Sequence, residues 1–127
     1  MTTYASLHNQ TCYSNVKLID SINTVEGLMD YAYELGLPAV ALTEHECLTS
    51  HIRAVKYHKK KYADKNLKLI LGNEIYITRE GLVKETHQAG EKFYHCILLA
   101  KDAEGHKQLR ELSSRAWERG YMMFIMR

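Results

Sequence analysis

The sequence predicts an α/β fold in which mostly parallel strands alternate with helices, amounting to roughly the first half of a closed barrel. Three observations predict it. Short apolar runs open at residues 4, 39, 67 and 93, so successive starts lie 35, 28 and 26 residues apart. A closed barrel of eight strand–helix units and ~250 residues spends about 30 residues on each unit. Helical patterns fill the intervals between the runs, and a strand–helix repeat implies a parallel sheet with right-handed crossovers. The third observation is composition: 46% of the 127 residues are hydrophobic, with 9 Tyr, 2 Phe and 1 Trp, enough to pack one core and to exclude disorder.

Each element has its own signal. Tyr4 to Leu7 is a short strand. Asn23, Thr24, Val25 and Glu26 read as a capping box, with Asn23 accepting from the first turn and Glu26 reaching back. Val25, Leu28, Met29, Ala32 and Leu35 then recur at helical spacing. Gly36 stands where a left-handed cap would end that helix, and Pro38 forbids its continuation. Ala39 to Leu42 is continuously apolar, as in a strand covered on both faces. A second helix runs from about Thr49 to Ala63, with Ile52 and Val55 inward and a basic outer face. Leu67 to Leu71 is the next buried strand. Gly72-Asn73 breaks it, and Glu74 to Ile77 forms another extended piece. Residues 79–92 read as loop and Phe93 to Ala100 as a fourth strand. Asp102 caps a last helix carrying Leu109, Leu112 and Ala116 on one face. The apolar run from Tyr121 to Met126 stops at Arg127 with nothing to pair with, so residues 1–127 read as the N-terminal portion of a single domain cut from a longer chain.

Charge and motifs exclude several functions. Lys+Arg 17 against Asp+Glu 15 gives a net +2, without the global basic field that would announce a nucleic-acid binder. The apolar runs are too short to span a bilayer and the N-terminus lacks a secretory pattern, so the expectation is a cytoplasmic protein without a membrane partner. Cys12, Cys47 and Cys96 are too few and too scattered for a disulfide framework and read as reduced thiols. A Gly-rich phosphate loop, a nucleophile elbow and paired polymerase aspartates are all missing, which places any polymerising site outside these residues.

The remaining chemistry gathers at strand ends, where parallel α/β folds collect their functional groups. His8 follows the first strand, Glu44 and His45 follow the second, and Glu74 follows the third. Mixed carboxylate and imidazole donors suit Zn, Mn or Fe, and a shared glutamate can bridge two ions. The other histidines carry less: His51 and His58 read as surface or half-buried, His87 as loop and His106 as packing. Arg53, Lys56, Lys59, Lys60, Lys61 and Lys65 form a basic helix face, read as solvated or as a contact to a phosphate backbone.

Leu7-His8-Asn9-Gln10-Thr11 with Tyr13-Ser14, followed by Ala39 through Glu44-His45, resembles the first two motifs of the PHP (polymerase and histidinol phosphatase) domain. The likeness continues through Ile70-Leu71-Gly72-Asn73-Glu74-Ile75-Tyr76, His95 to Lys101, Glu104 to Leu109 and Leu112-Ser113-Ser114. These later segments resemble the PHP domain that opens bacterial replicative DNA polymerase III alpha subunits, rather than stand-alone phosphatases. The resemblance implies a (β/α)7-type barrel, of which this chain holds roughly the first half. It implies a divalent metal (Zn, Mn, Mg or Fe) at an incomplete site, since later strands supply the other ligands. His8 matches the first histidine of the first motif, His45 the histidine of the second and Glu74 the bridging glutamate. Asp20 aligns with an aspartate that follows the first motif in polymerase members. His95 matches a recurrent histidine of polymerase-type members, although the strand assignment sets it at the N-terminal end of its strand, the wrong side of a barrel for chemistry.

Two departures stand out. Gln10 occupies the place of the second histidine of the first motif, and an amide is a far poorer ligand for a borderline metal. Glu44 replaces the usual aspartate and moves its charge by one methylene. The resemblance therefore implies a structural or vestigial metal-dependent 3′–5′ exonuclease or phosphoesterase module. Its partners would be the remainder of a polymerase chain, DNA through that chain, and a proofreading subunit. Two alternatives stay open: a stand-alone phosphoesterase resembling histidinol phosphatase, and a non-catalytic half-barrel that self-associates through open sheet edges.

Overall fold

The computed structural model describes residues 4–14, 21–77, 94–119 and, for the backbone alone, 125–126. The loop expected over residues 79–92 lies outside them, as does Asp20. A 3₁₀ turn at Cys12–Ser14 precedes helix α1 (Val25–Glu34), strand β1 (Ala39–Leu42), helix α2 (His51–Lys61), strand β2 (Lys68–Ile77), strand β3 (Tyr94–Leu99), helix α3 (Ala103–Arg119) and the short strand β4 (Ile125–Met126).

α1 starts one residue later in its capping scheme than the sequence suggests. Thr24, not Asn23, is the N-cap, its hydroxyl accepting from the Gly27 amide at 3.0 Å. Asn23 turns away and donates to the Gln10 carbonyl, while the Glu26 carboxylate accepts from Arg53. Val25, Met29 and Ala32 are buried, one turn apart, and Gly36 takes the left-handed conformation (φ 69°) that ends the helix. β1 is buried at all four positions, as expected of a doubly covered strand.

The sheet is mostly parallel, with one reversal. β1 and β2 are parallel, with Ala39 opposite Lys68 and Leu42 opposite Leu71. β4 is also parallel to β2, Ile125 opposite Tyr76, so the C-terminal run does find a partner. β3 instead runs antiparallel to β2, from Gly72 opposite Leu99 to Ile77 opposite Tyr94. Tyr4 to Leu7 contributes only a single parallel bridge, Ser6 to Val40.

Gly72-Asn73 does not interrupt β2. Gly72 is where two chains close on the strand: a Cβ there would lie 2.5 Å from the Leu98 carbonyl oxygen and 2.9 Å from the Thr43 methyl. Glycine at this position allows close approach rather than a turn.

Cross-strand register assigns the two faces. Val40, Leu42 and Leu69 pack with Val25, Met29, Ala54 and Tyr62 of the α1–α2 layer. Ile75, Cys96 and Leu98 pack with Leu112 and Ala116 of α3. By strand alternation these residues share one face, and all three helices cover it. Burying side chains such as Met29 and Leu42 contributes about 1.5–3 kcal/mol each to this layer. Glu74, Tyr76 and His95 therefore belong to the opposite face.

α2 meets the core differently from the expected pattern. Ile52 is 72% exposed and Val55 half-buried, while His51, Ala54 and Tyr62 face inward. His51 can be buried because both ring nitrogens have partners. Its Nε2–H donates to the Gly72 carbonyl at 3.0 Å, and its Nδ1 accepts from His106 Nε2–H at 3.1 Å. Burial pushes its pKa down to about 4.

Candidate metal centre

Three separate segments deliver side chains to one carboxylate. Glu74 sits in the C-terminal half of β2, on the face away from the helices, and is 4% exposed. His95 belongs to β3, where the antiparallel register sets it opposite Tyr76. His45 lies three residues past β1 and forms a parallel bridge with Glu74 itself. His8 and Gln10 come from the segment before the 3₁₀ turn.

Glu74 Oε1 accepts from His95 Nδ1–H at 2.6 Å, and Oε2 accepts from His8 Nε2–H at 2.9 Å and from the Gln10 side-chain amide. Burial pushes the Glu74 carboxyl up, but the hydrogen bonds from His95 and His8 outweigh it, holding the group ionised below its ordinary value. One donor atom from each of His45, Glu74 and His95 lies within 4.8 Å of the others. The three rings of His45, Tyr76 and His95 stack edge to face, with centroids 5.0 Å apart for His45–Tyr76 and 4.5 Å for Tyr76–His95.

The reversal of β3 explains the position of His95. In a parallel strand, the second residue would sit at the far end of the sheet from Glu74. An antiparallel strand begins where its neighbour ends, so the same residue arrives beside the C-terminal half of β2.

Glu44 has a different part. It is fully buried, and its carboxylate accepts from the Thr11 amide at 2.9 Å and from the Thr11 and Ser14 hydroxyls at 2.7 Å each. These bonds pin the 3₁₀ turn, and Ser14 Oγ in turn accepts from the His45 amide at 2.9 Å. The Asn73 amide holds the adjoining turn by donating to the Glu44 and Cys47 carbonyls. The structure thus brings together His8, His45, Glu74 and His95 and assigns Glu44 to holding the loops around them.

Sequence reasoning overlooked Tyr76, Thr11, Ser14 and Asn73. Tyr76 was accessible by strand period alone, since it stands two residues beyond Glu74 on the same face. The hydroxyl and amide partners carry no comparable signal, because their bonds span 26 to 33 residues of chain.

The donor set fits a divalent cation: two imidazoles and one ionised carboxylate converge from three elements, and a further imidazole, His8, meets the same carboxylate. Among the described residues this is the one such group.

Comparison with known proteins gives the family and the fold. The PHP domain profile matches residues 6–126. A DNA-directed DNA polymerase of Bacillus phage SPbeta is 42% identical over 121 residues, covering 90% of this chain and 9% of the polymerase. The DNA polymerase III subunit alpha of Treponema pallidum (strain Nichols) is 32% identical over 109 residues, 85% of this chain and again 9% of the relative. The chain therefore spans about a tenth of the length of these relatives. Among solved structures, a "putative metal-dependent phosphoesterase" from Bifidobacterium adolescentis shares the fold with a TM-score of 0.56 at 19% identity, covering 91% of this chain and 35% of that one.

Proposed function

The chain belongs to the PHP domain family, and from that premise we propose that it is the opening portion of a polymerase PHP domain that binds a divalent metal for phosphodiester hydrolysis. The observation that carries this reading is the convergence of His45 and His95 on the ionised, buried Glu74. His45, Glu74 and His95 would hold the ion, with His8 at the rim. A bound divalent cation supplies Lewis acidity toward a phosphoryl oxygen.

The protein's own groups prepare that site. His95 and His8 keep Glu74 anionic before any ion arrives. Tyr76 lies edge-on to both ring ligands and restricts how they can turn. Glu44, through Ser14, fixes the backbone of His45. Nothing in this set polymerises nucleotides; template-directed synthesis belongs to the longer chain of which PHP domains form a part in the relatives.

A scaffold reading rests on one specific observation. The Gln10 amide donates into Glu74 Oε2, occupying an oxygen that a second ion would need. On that reading hydrolysis by this centre would be weak, and a bound metal would serve mainly to brace the fold against the rest of a polymerase chain.

Calorimetric titration with Zn²⁺ and Mn²⁺ tests the proposal. One ion binds per chain, and Glu74→Gln or His95→Ala weakens it at least tenfold. Wild-type chain that takes up no ion, or variants that bind as tightly as wild type, would overturn the metal reading. A 3′-labelled oligonucleotide then separates the two roles: slow Mn²⁺-dependent shortening, lost in Glu74→Gln, supports hydrolysis, and unchanged label over many hours supports the scaffold.

A further inference from the structure

Helix α2 carries a feature that the metal centre does not use. Ile52, Arg53, Lys56 and Lys60 share one side of the helix, since residues four apart stack one above the other. With Tyr13, Thr49, Tyr57 and Glu26 of α1, whose carboxylate is paired with Arg53, they line a groove beside the Cys12–Ser14 turn. Ile52 is 72% exposed and stands among these cations.

The cations of α2 fall into two sets. Lys61 is committed to α1, its ammonium 2.7 Å from Asp30. Lys56, Lys59 and Lys60 have no carboxylate partner among the described residues. Arg53 is only partly engaged: its Nε donates to Glu26 at 2.6 Å and Nη1 to the Tyr13 hydroxyl at 3.4 Å, leaving other N–H groups open. Lys56 and Lys60 stand about 6 Å apart along the helix axis.

The Cys12–Ser14 turn links one wall of the groove to the backbone of His45. Ser14 lies under His45, accepting its amide, and the adjacent Tyr13 forms the groove wall, its carbonyl accepting from the Cys47 thiol at 3.4 Å. One three-residue turn thus touches both places.

We propose that this groove guides the phosphate backbone of a single nucleic-acid strand toward the His45–Glu74–His95 centre. Lys56 and Lys60 contact phosphates, and Tyr13 and Ile52 offer apolar surface to a base. Spaced cations interleaved with a ring and an aliphatic side chain suit a stacked, charged strand better than an acidic peptide, which brings no π-face. The inference rests on the phosphodiester reading of the metal centre, but its test does not.

Anisotropy of a labelled 12-nucleotide oligothymidine, titrated with the 127-residue chain in EDTA at several salt concentrations, is the experiment. Lys56→Ala/Lys60→Ala weakens binding at least tenfold at low salt. It also flattens the dependence of log K on log salt by about 1.4, since each phosphate contact on a single strand contributes about 0.7. Lys68→Ala/Lys101→Ala removes the same charge from another groove of the molecule and leaves binding within twofold of wild type. Equal losses in the two double variants, absence of oligonucleotide binding by wild type, or displacement by polyglutamate at equal charge concentration would each overturn the proposal. The metal titration separates the two failures: a wild-type chain that takes up no Mn²⁺ overturns the metal centre and leaves the oligonucleotide result in EDTA standing, whereas loss of the Lys56/Lys60 effect overturns the groove alone.

Discussion

Glu44 and Glu74 are both buried glutamates at the mouth of the same sheet, and their neighbours give them opposite tasks. Glu44 meets two hydroxyls and an amide that hold a turn, and Glu74 meets two imidazoles and an amide at the open face. Removing the Glu44 carboxylate leaves the Thr11 and Ser14 donors without their acceptor. Glu44→Ala should therefore cost about 3 kcal/mol in urea denaturation. His51 supplies a second test at this scale. Its pKa lies near 4 when folded, because burial disfavours the cation, against about 6.5 in the unfolded chain. The unfolded state then binds the proton more readily, so stability falls as the pH drops from about 6.5 to 4, by up to about 3 kcal/mol, and is fully retained above that window. His51→Gln, which keeps an N–H for the Gly72 carbonyl, should flatten that part of the melting-temperature profile.

Among the elements, β2 has the most to hold. It is parallel to β1 over its first half, antiparallel to β3 over its second, and it carries Glu74 between them. Gly72 is the point of closest approach. A methyl group there meets backbone oxygen and the Thr43 methyl, and neither can retreat without separating paired strands. Gly72→Ala should lower stability by more than about 2 kcal/mol, and it should weaken metal binding as well, since any shift of β3 carries His95 with it. Gly36, with open space around its Cβ position, has only its left-handed backbone to defend. The element-level expectations that failed share one feature. Asn23 as a cap, Ile52 as core and a break at Gly72-Asn73 were each inferred from a residue's local habit; Gln10 draws Asn23 away, Leu98 and Thr43 close on Gly72, and His51, held by Gly72 and His106, takes the inward side of α2 that leaves Ile52 exposed.

For the whole molecule, helices cover one face of the sheet and the ligands gather on the other. A cation that joins β1, β2 and β3 at Glu74 binds the folded state alone, so it should stabilise the chain by about 2.7 kcal/mol at a hundredfold excess over its dissociation constant. For a domain of this size that is a rise of roughly 5–10 °C in melting temperature, and Glu74→Gln should abolish it. No helix among the described residues is long and apolar enough to cross a membrane.

The sequence by itself determined a good deal. Apolar periodicity set α1, β1, α2 and α3 to within a few residues, since each is specified by contacts between neighbours one turn or two residues apart. Motif order marked His8, His45 and Glu74, of which His45 follows β1 as expected, whereas Glu74 lies inside β2 rather than after a strand. Only the tertiary structure decided the direction of β3, and with it the place of His95, because strand pairing is a choice between distant segments that no local pattern encodes. The same holds for Glu44 and His51. Whether a carboxylate binds a metal or a turn, and whether an imidazole is solvated or buried, depends on which donors and acceptors the fold brings within hydrogen-bond distance, and those lie 21 to 55 residues away along the chain.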